Sequence, residues 1–365
     1  MLLTELDMND PVLVEHYWRV RETALTAGRP RYQASQIEDF VEIMALHDDH
    51  FDRTVYGAYD GSLLVGAAMT LKPTAEGCTD IWAWPYVPPV YRRDGVGSML
   101  FEAIIEEAQK AGRTRLMSTI EFAGDSLSDA ARHPYVAFAR HNGFTIGRRM
   151  IRWELRLPVE ASVRESFGAV IAARAKDYRV EVVEGMVPPA RTDAFQRLRA
   201  AALDNAPGQE MCVSPESIDA AAYQATTQMW LGQGHRIVIA LAYYREPQPE
   251  PAEGEPPLPP ADPAADELVG FSTVRIPPKP ELAVTVQGDT WVDEAHRRRR
   301  VGPALKLAVA DWLTSHVPER TRIQTQTAEI NRRMASLNRA VGYAPIETML
   351  KITLRVDPPK PEEGA

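Results

Sequence analysis

Cysteine is nearly missing from this chain of 365 residues, which holds only Cys78 and Cys212. They fall in different halves, so a disulfide framework is not expected and a reducing cytoplasm is the natural setting. No Cys/His constellation has the spacing of a zinc site or of an activated thiol. The letters "HDDH" at 47–50 look metal-like, but they sit at a predicted helix end and read as solvated, so no metal is expected. No apolar run approaches the ~18 residues that a membrane-spanning helix needs. The stretch "MLLTELDMND" lacks a basic region followed by an apolar one, so neither a signal peptide nor a membrane partner is expected. Excess positive charge is absent too. A net charge of −9 argues against non-specific nucleic-acid binding by the protein as a whole. A Rossmann GxGxxG is not matched, and no GK[ST] completes a phosphate-binding loop of the Walker type.

What is present is repetition. "LLVGAAM" from Leu63 answers "ELVGFST" from Glu267, and "VPPVYRRDGVGSML" from Val87 answers "VDEAHRRRRVGPAL" from Val292. "RTRLMSTIEF" from Arg113 answers "RTRIQTQTAE" from Arg320, and "NGFTIGRRMIRWELRLP" from Asn142 answers "VGYAPIETMLKITLRVD" from Val341. Four collinear matches imply a duplicated domain, far longer in period than any solenoid repeat. The expected division is an N-terminal domain at 1–157, a linker helix at 158–177, a C-terminal domain at 178–357 and a tail at 358–365.

Each half reads as mixed α/β. In the first, a short strand precedes helical spacing at 12–27 and 35–48. A hairpin turning at Asp60-Gly61 follows, then the strand "DIWAWPYV", in which Pro85 implies an edge or a bulge. The helix at 96–111 places Val96, Leu100, Ala103, Ile104 and Ala108 on one face. A buried strand, a short helix at 135–142 and a long closing strand complete the half. The second half follows the same order from Tyr178, and its helix after the arginine run sets Val301, Leu305, Ala308, Val309, Trp312 and Leu313 on one side. The insertion at 246–263, with eight prolines and five acidic residues, cannot bury a core and reads as a disordered or polyproline-like loop.

The arginine-glycine stretch lies where a strand gives way to a helix. A helix N-terminus offers unpaired N–H groups and the positive end of the dipole. Glycine clears the approach, and arginine adds charge-assisted bonds, so the turn suits a pyrophosphate. A plain strand-to-helix turn with solvated arginines is the alternative. For "RRRR" at 297–300, a nucleic-acid contact is a third reading, disfavoured because no aromatic residues are interleaved.

Val87, Pro89, Tyr91, Arg92, Gly95, Gly97 and Leu100 together resemble the acyl-CoA-binding motif of the GNAT superfamily of acyl-CoA N-acyltransferases. The order of strands and helices is similar as well, once per half, as in bacterial tandem-domain members. The resemblance implies two tandem GNAT-like domains of mixed α/β (α+β) class, each a splayed mixed sheet flanked by helices. It implies acetyl-CoA as the acyl donor and an amine-bearing small molecule or peptide as acceptor. In the first half it places CoA on Val87, Arg92, Arg93, Gly95, Val96, Gly97 and Ser98, and in the second on Val292, Arg297, Gly302 and Asn331. The second motif departs from the pattern: Arg300 replaces the first glycine, and Pro303 removes an N–H. The tyrosine that often protonates the leaving thiolate in this family is missing from both halves. Asn338 takes its place in the second, and Tyr135 lies one helical turn from Ala139 in the first. Asp80 and Asp289 lie near where a base would stand, each with a plain strand-end role as the alternative. The expected activity is direct acyl transfer by a monomer or homodimer. The rival is a duplicated CoA-binding scaffold without catalysis.

Overall fold

The computed structural model describes residues 1–45, 49–125, 127–175, 177–204, 220–245 and 266–358. The proline-rich insertion, half of "HDDH" and most of the tail lie outside the described residues. The chain divides into two compact units. Among the described residues, unit 1 takes those up to Ile151 and those from Ile346 onward, and unit 2 takes the remainder between.

Unit 1 opens with β1 (Leu2–Glu5), the helices α1 (Pro11–Thr26) and α2 (Ile37–Ala45), and the antiparallel strands β2 (Phe51–Asp60), β3 (Leu63–Pro73) and β4 (Asp80–Tyr86). Asp10 caps α1, accepting from the Val12 N–H at 2.8 Å, and Pro11 suits the first helical turn. The β2–β3 hairpin turns at Gly61, whose φ of 59° needs no side chain to be accommodated. Helix α3 (Val96–Lys110) then leads to β5 (Arg115–Ala123). All five apolar residues expected on the α3 core face are buried. Helices α4 (Leu127–Arg132) and α5 (Pro134–His141) and strand β6 (Thr145–Arg156) end the first half.

Unit 2 contains α6 (Ala161–Arg174), β7 (Tyr178–Glu184), α7 (Thr192–Asp204), α8 (Ala220–Gly232), β8 (Arg236–Tyr244), β9 (Glu267–Ile276), β10 (Val284–Val292), α9 (Val301–His316), β11 (Arg322–Ala328) and α10 (Arg332–Val341). On α9 the expected core face is only partly right. Ala308 and Trp312 are half-buried, whereas Lys306 and Ala310 are buried. Trp312 instead stacks on His316 at 4.4 Å and lies under the Arg236 guanidinium at 5.3 Å.

The two closing strands are exchanged. The last strand, β12 (Ala344–Arg355), pairs antiparallel with β5, from Glu347 opposite Ala123 to Arg355 opposite Arg115. It was expected in the C-terminal domain. The end of β6 serves unit 2: Trp153 donates to the Thr327 hydroxyl at 2.8 Å, and the Leu157 N–H to the Thr321 carbonyl at 2.8 Å. Unit 1 therefore has the strand order β1-β2-β3-β4-β5-β12 followed by the part of β6 up to Ile151, and unit 2 the order β6, from Arg152, then β11-β10-β9-β8-β7. The two strands share a length and an apolar pattern, so each fits the place the other would fill.

In both units the fourth and fifth strands of the half pair only briefly. β4 and β5 are parallel at Asp80–Arg115, Ile81–Leu116 and Trp82–Met117. β10 and β11 are parallel at Val284–Arg322, Thr285–Ile323 and Val286–Gln324. Each sheet then opens into a V, as expected. Pro85 sits beyond the last pair with β5, where a missing N–H costs no parallel ladder bond.

Candidate active site

The helix that follows each V begins at the arginine-glycine loop. In unit 1 a 3₁₀ turn at Pro89–Tyr91 precedes two left-handed residues, Arg93 at φ 74° and Gly95 at φ 83°. Gly95 is the N-cap of α3 and no side chain caps this helix, so the first N–H groups, of Val96, Gly97 and Ser98, face outward without an intrahelical partner. Arg92 braces the loop: its Nε donates to the Val87 carbonyl at 2.9 Å, and its guanidinium lies 5.1 Å above the Tyr135 ring.

Unit 2 copies this backbone. The Arg297 Nε donates to the Val292 carbonyl at 3.0 Å, and Arg298 and Arg300 are left-handed at φ 65° and 66°. Arg300 thus holds the conformation that Gly95 holds in unit 1, at roughly 1 kcal/mol of strain for a residue with a Cβ. The glycines that follow differ in role. A Cβ on Gly97 would meet Phe138 at 3.5 Å, an ordinary contact, so its smallness leaves the approach clear. A Cβ on Gly302 would strike Leu337 Cδ1 at 2.8 Å, so that glycine lets α10 pack on α9.

Asp80 and Asp289, expected at equivalent places, stand at opposite ends of the V. Asp80 is 1% exposed at the paired end of β4, and Arg115 grips it with two bonds of 2.6 and 2.5 Å. Asp289 lies beyond the last β10–β11 pair, at the bulge where the register with β9 shifts between Gln287 and Thr290. It is exposed. Crowding by surrounding protein nonetheless pushes its carboxyl above the ordinary aspartate range, and Arg199 opposes the shift. The Arg199 guanidinium lies 3.6 Å over the Tyr223 ring.

Tyr135 sits beside the loop of unit 1 rather than deep in the V. Its N–H donates to the His133 Nδ1 at 3.3 Å, and its ring meets the His133 ring at 4.6 Å. His133, stacked on Phe122 at 4.4 Å, thereby caps α5, and burial first, then Arg92, lowers its pKa. Asn331 does the same for α10, its Oδ1 accepting from the Met334 N–H at 3.1 Å. Asn338 is fully buried on α10, and neither its Oδ1 nor its Nδ2 finds a hydrogen-bond partner among the described residues.

Sequence reasoning missed a charged cluster beside the V of unit 1. Arg29, 4% exposed, donates to both Glu347 oxygens at 3.2 and 2.7 Å, pairs with Glu121, and covers the Tyr32 ring at 4.5 Å. Arg21 pairs with Glu22 and lies 5.7 Å from the Tyr86 ring centroid. Trp84 bridges the V, its Nε1 donating to the Thr119 hydroxyl at 3.0 Å. Among the described residues, no group of His, Cys, Asp and Glu is placed to hold a metal ion, and no helix is long and apolar enough to cross a membrane.

The family model "Acetyltransferase (GNAT) family" matches residues 13–144. No curated protein matches the chain. Among solved structures, the chain is similar to a tandem GNAT protein from the clavulanic acid biosynthesis pathway, with 22% identity and a TM-score of 0.73 over 98% of this chain and 99% of that one. It is similar also to a GCN5-related N-acetyltransferase from Sphaerobacter thermophilus, with 13% identity and a TM-score of 0.63 over 98% and 96% of the two chains. A third likeness, with 13% identity and a TM-score of 0.60, is to the glucosamine N-acetyltransferase region of a fungal multi-domain β-N-acetylglucosaminidase, covering 96% of this chain and 38% of that one. The first half of the chain thus matches the acetyltransferase (GNAT) family model over residues 13–144, and the chain as a whole shares its fold with a tandem GNAT protein.

Proposed function

We propose that the protein transfers an acetyl or other short acyl group from CoA to a primary amine. The observation that carries this reading is the start of α3. Three outward N–H groups follow a left-handed Gly95, at the mouth of a strand pair that parts after Trp82. Such a turn fits the diphosphate of CoA, with Val87, Arg92, Arg93, Gly95, Val96, Gly97 and Ser98 around it. The parted strands leave backbone groups for the pantetheine. Unit 2, through Val292, Arg297 and Gly302, holds a second acyl-CoA less tightly because Pro303 supplies no N–H. Asn331, expected on the pantetheine side, spends its Oδ1 on the α10 cap.

An amine attacks a thioester only when neutral, so a proton acceptor at the open V is needed. Asp289 suits that role in unit 2, since it is exposed, lies beyond the paired strands and has a raised pKa. Asp80 does not suit it, because its two bonds to Arg115 hold the closed end of the sheet. The test is free-thiol release from acetyl-CoA over a panel of primary amines. Amine-dependent release supports transfer. Tight acetyl-CoA binding with no release for any amine supports the rival reading, a duplicated scaffold.

A further inference from the structure

The duplication sets two pairs of side chains in equivalent places. In unit 1, Phe101 on α3 meets Phe144 at 5.7 Å between ring centroids. In unit 2 the same positions hold Lys306 on α9 and Tyr343, with the ammonium 4.8 Å from the centre of the tyrosine ring. Lys306 is 1% exposed, and no carboxylate among the described residues pairs with it. Burial alone lowers its pKa to about 7, so near neutrality a large share of the amine is uncharged.

The surroundings lead to the V. The Tyr343 hydroxyl donates to Gln287 Oε1 at 2.9 Å, and Gln287 is the first β10 residue beyond the last parallel pair with β11. The Gln287 Nε2 donates in turn to the Ser272 hydroxyl at 2.7 Å, which bonds Thr290 at 2.8 Å, next to Asp289. Lys306 therefore lies beneath the point where the strands part, one helical turn beyond Gly302. The Tyr343 N–H donates to the Asn338 main-chain carbonyl at 3.0 Å, which fixes Tyr343 at the C-terminal turn of α10.

We propose that Lys306 is a site of self-acylation, taking the acyl group of an acyl-CoA held in unit 2. This rests on the reading that the loop of unit 2 holds such a thioester. The lone pair of Nζ attacks the thioester carbonyl carbon. A C–N bond forms, the C–S bond breaks with its electron pair leaving on sulfur, and the proton shed by the amine ends on the CoA thiol. The product is an uncharged secondary amide, better suited to burial than an ammonium.

The test incubates the full-length protein with acetyl-CoA, then reads intact mass and maps acetyl-lysine by peptide sequencing. One acetyl group is expected, at Lys306, with occupancy at least about tenfold above that of any of the six other lysines. Lys306→Met should gain none. Calorimetry on the same preparations separates the two levels of the argument. If acetyl-CoA binds and Lys306 stays unmodified, the self-acylation is overturned, and the transferase reading is decided by the amine panel alone. If Lys306→Met is acetylated as fully as the wild type, it is likewise overturned. If acetyl-CoA does not bind at all, the functional reading fails and takes this inference with it.

Discussion

The two units share a backbone plan and divide the chemistry unevenly. Unit 1 has the clearer phosphate loop, with glycine at its left-handed N-cap and an N–H at every position of the first turn. Unit 2 has the clearer V, with an exposed carboxylate at the bulge and a polar chain reaching a buried lysine, where unit 1 has Phe101 and Phe144. Duplication therefore preserved the loop conformation through residues as different as Gly95 and Arg300, while the side chains around it diverged.

The largest expected effect breaks the loop comparison. Gly97→Glu should put a carboxylate against the diphosphate and lower acetyl-CoA affinity about 100-fold or more, as the loss of one or two charged hydrogen bonds at 1.5–3 kcal/mol each would. The matching change in unit 2, at Gly302, would first have to displace Leu337 Cδ1, 2.8 Å from the added Cβ, and so would mix packing with charge. Arg298→Glu, on the exposed loop, is the cleaner partner and should cost less than about tenfold. Titration calorimetry decides between them. Unchanged affinity in Gly97→Glu with binding abolished in Arg298→Glu would move the donor site to unit 2.

Next comes the contrast between the two aspartates. Asp289→Asn should lower turnover by about 100-fold where unit 2 is catalytic. Because the carboxyl of Asp289 is raised and must be ionised to act, the wild-type rate should climb with pH through a value above the ordinary aspartate range, and the variant should lose that limb. Asp80→Asn should leave the pH profile alone and destabilise the fold by about 1–2 kcal/mol in urea, since Arg115 is half exposed and water takes part of the lost pairing. An equal loss of rate in both variants would show that the closed end of the V matters as much as the open one.

Why Asp80 and Asp289 looked alike in sequence is a matter of counting. Val284, not Asp289, takes the place of Asp80, since each opens the parallel pairing, opposite Arg322 and Arg115, while Asp289 lies beyond the last pair on β10. The α3 face was legible because Val96, Leu100, Ala103, Ile104 and Ala108 repeat at helical spacing with nothing to contradict them. On α9 the face named from the sequence leaves out Lys306, because nothing local shows that Tyr343, far along the chain, packs against it. The Arg29–Glu347 pair spans 318 positions and exists only because β12 was exchanged into unit 1. Either closing strand suits either sheet by its pattern, so the exchange leaves no mark in the sequence.

Lys306 offers a comparison at the level of stability. Its pKa is lowered to about 7 in the folded protein and is near ~10.4 when unfolded. Between these values the unfolded chain binds more protons, so the wild type should gain stability as pH rises from about 7 to about 10. Below about 7 the penalty of the buried ammonium is fully present. Lys306→Met should remove that dependence and raise Tm at pH 7 by several degrees, towards the behaviour of a unit carrying phenylalanine at this place. Thermal melts from pH 6 to 10 test it. Parallel pH curves for the two proteins would mean that the ammonium is solvated in the folded state.

The smallest expected effect concerns Arg300. Replacing it with glycine would make the loop of unit 2 match that of unit 1 at the left-handed N-cap. Relief of the left-handed Cβ contact should contribute about 1 kcal/mol. The added freedom of glycine in the unfolded chain offsets most of that, by about 0.4–1 kcal/mol. Stability in urea should therefore change by less than about 0.5 kcal/mol. Affinity for acetyl-CoA in unit 2 should change less than about threefold, because backbone N–H groups rather than this guanidinium face the ligand. The measurement is calorimetry in the Gly97→Glu background, where binding to unit 1 is already weakened. A fall of more than about tenfold would show that Arg300 itself grips the phosphates. The second loop would then be a site rebuilt around side chains rather than a weakened copy of the first.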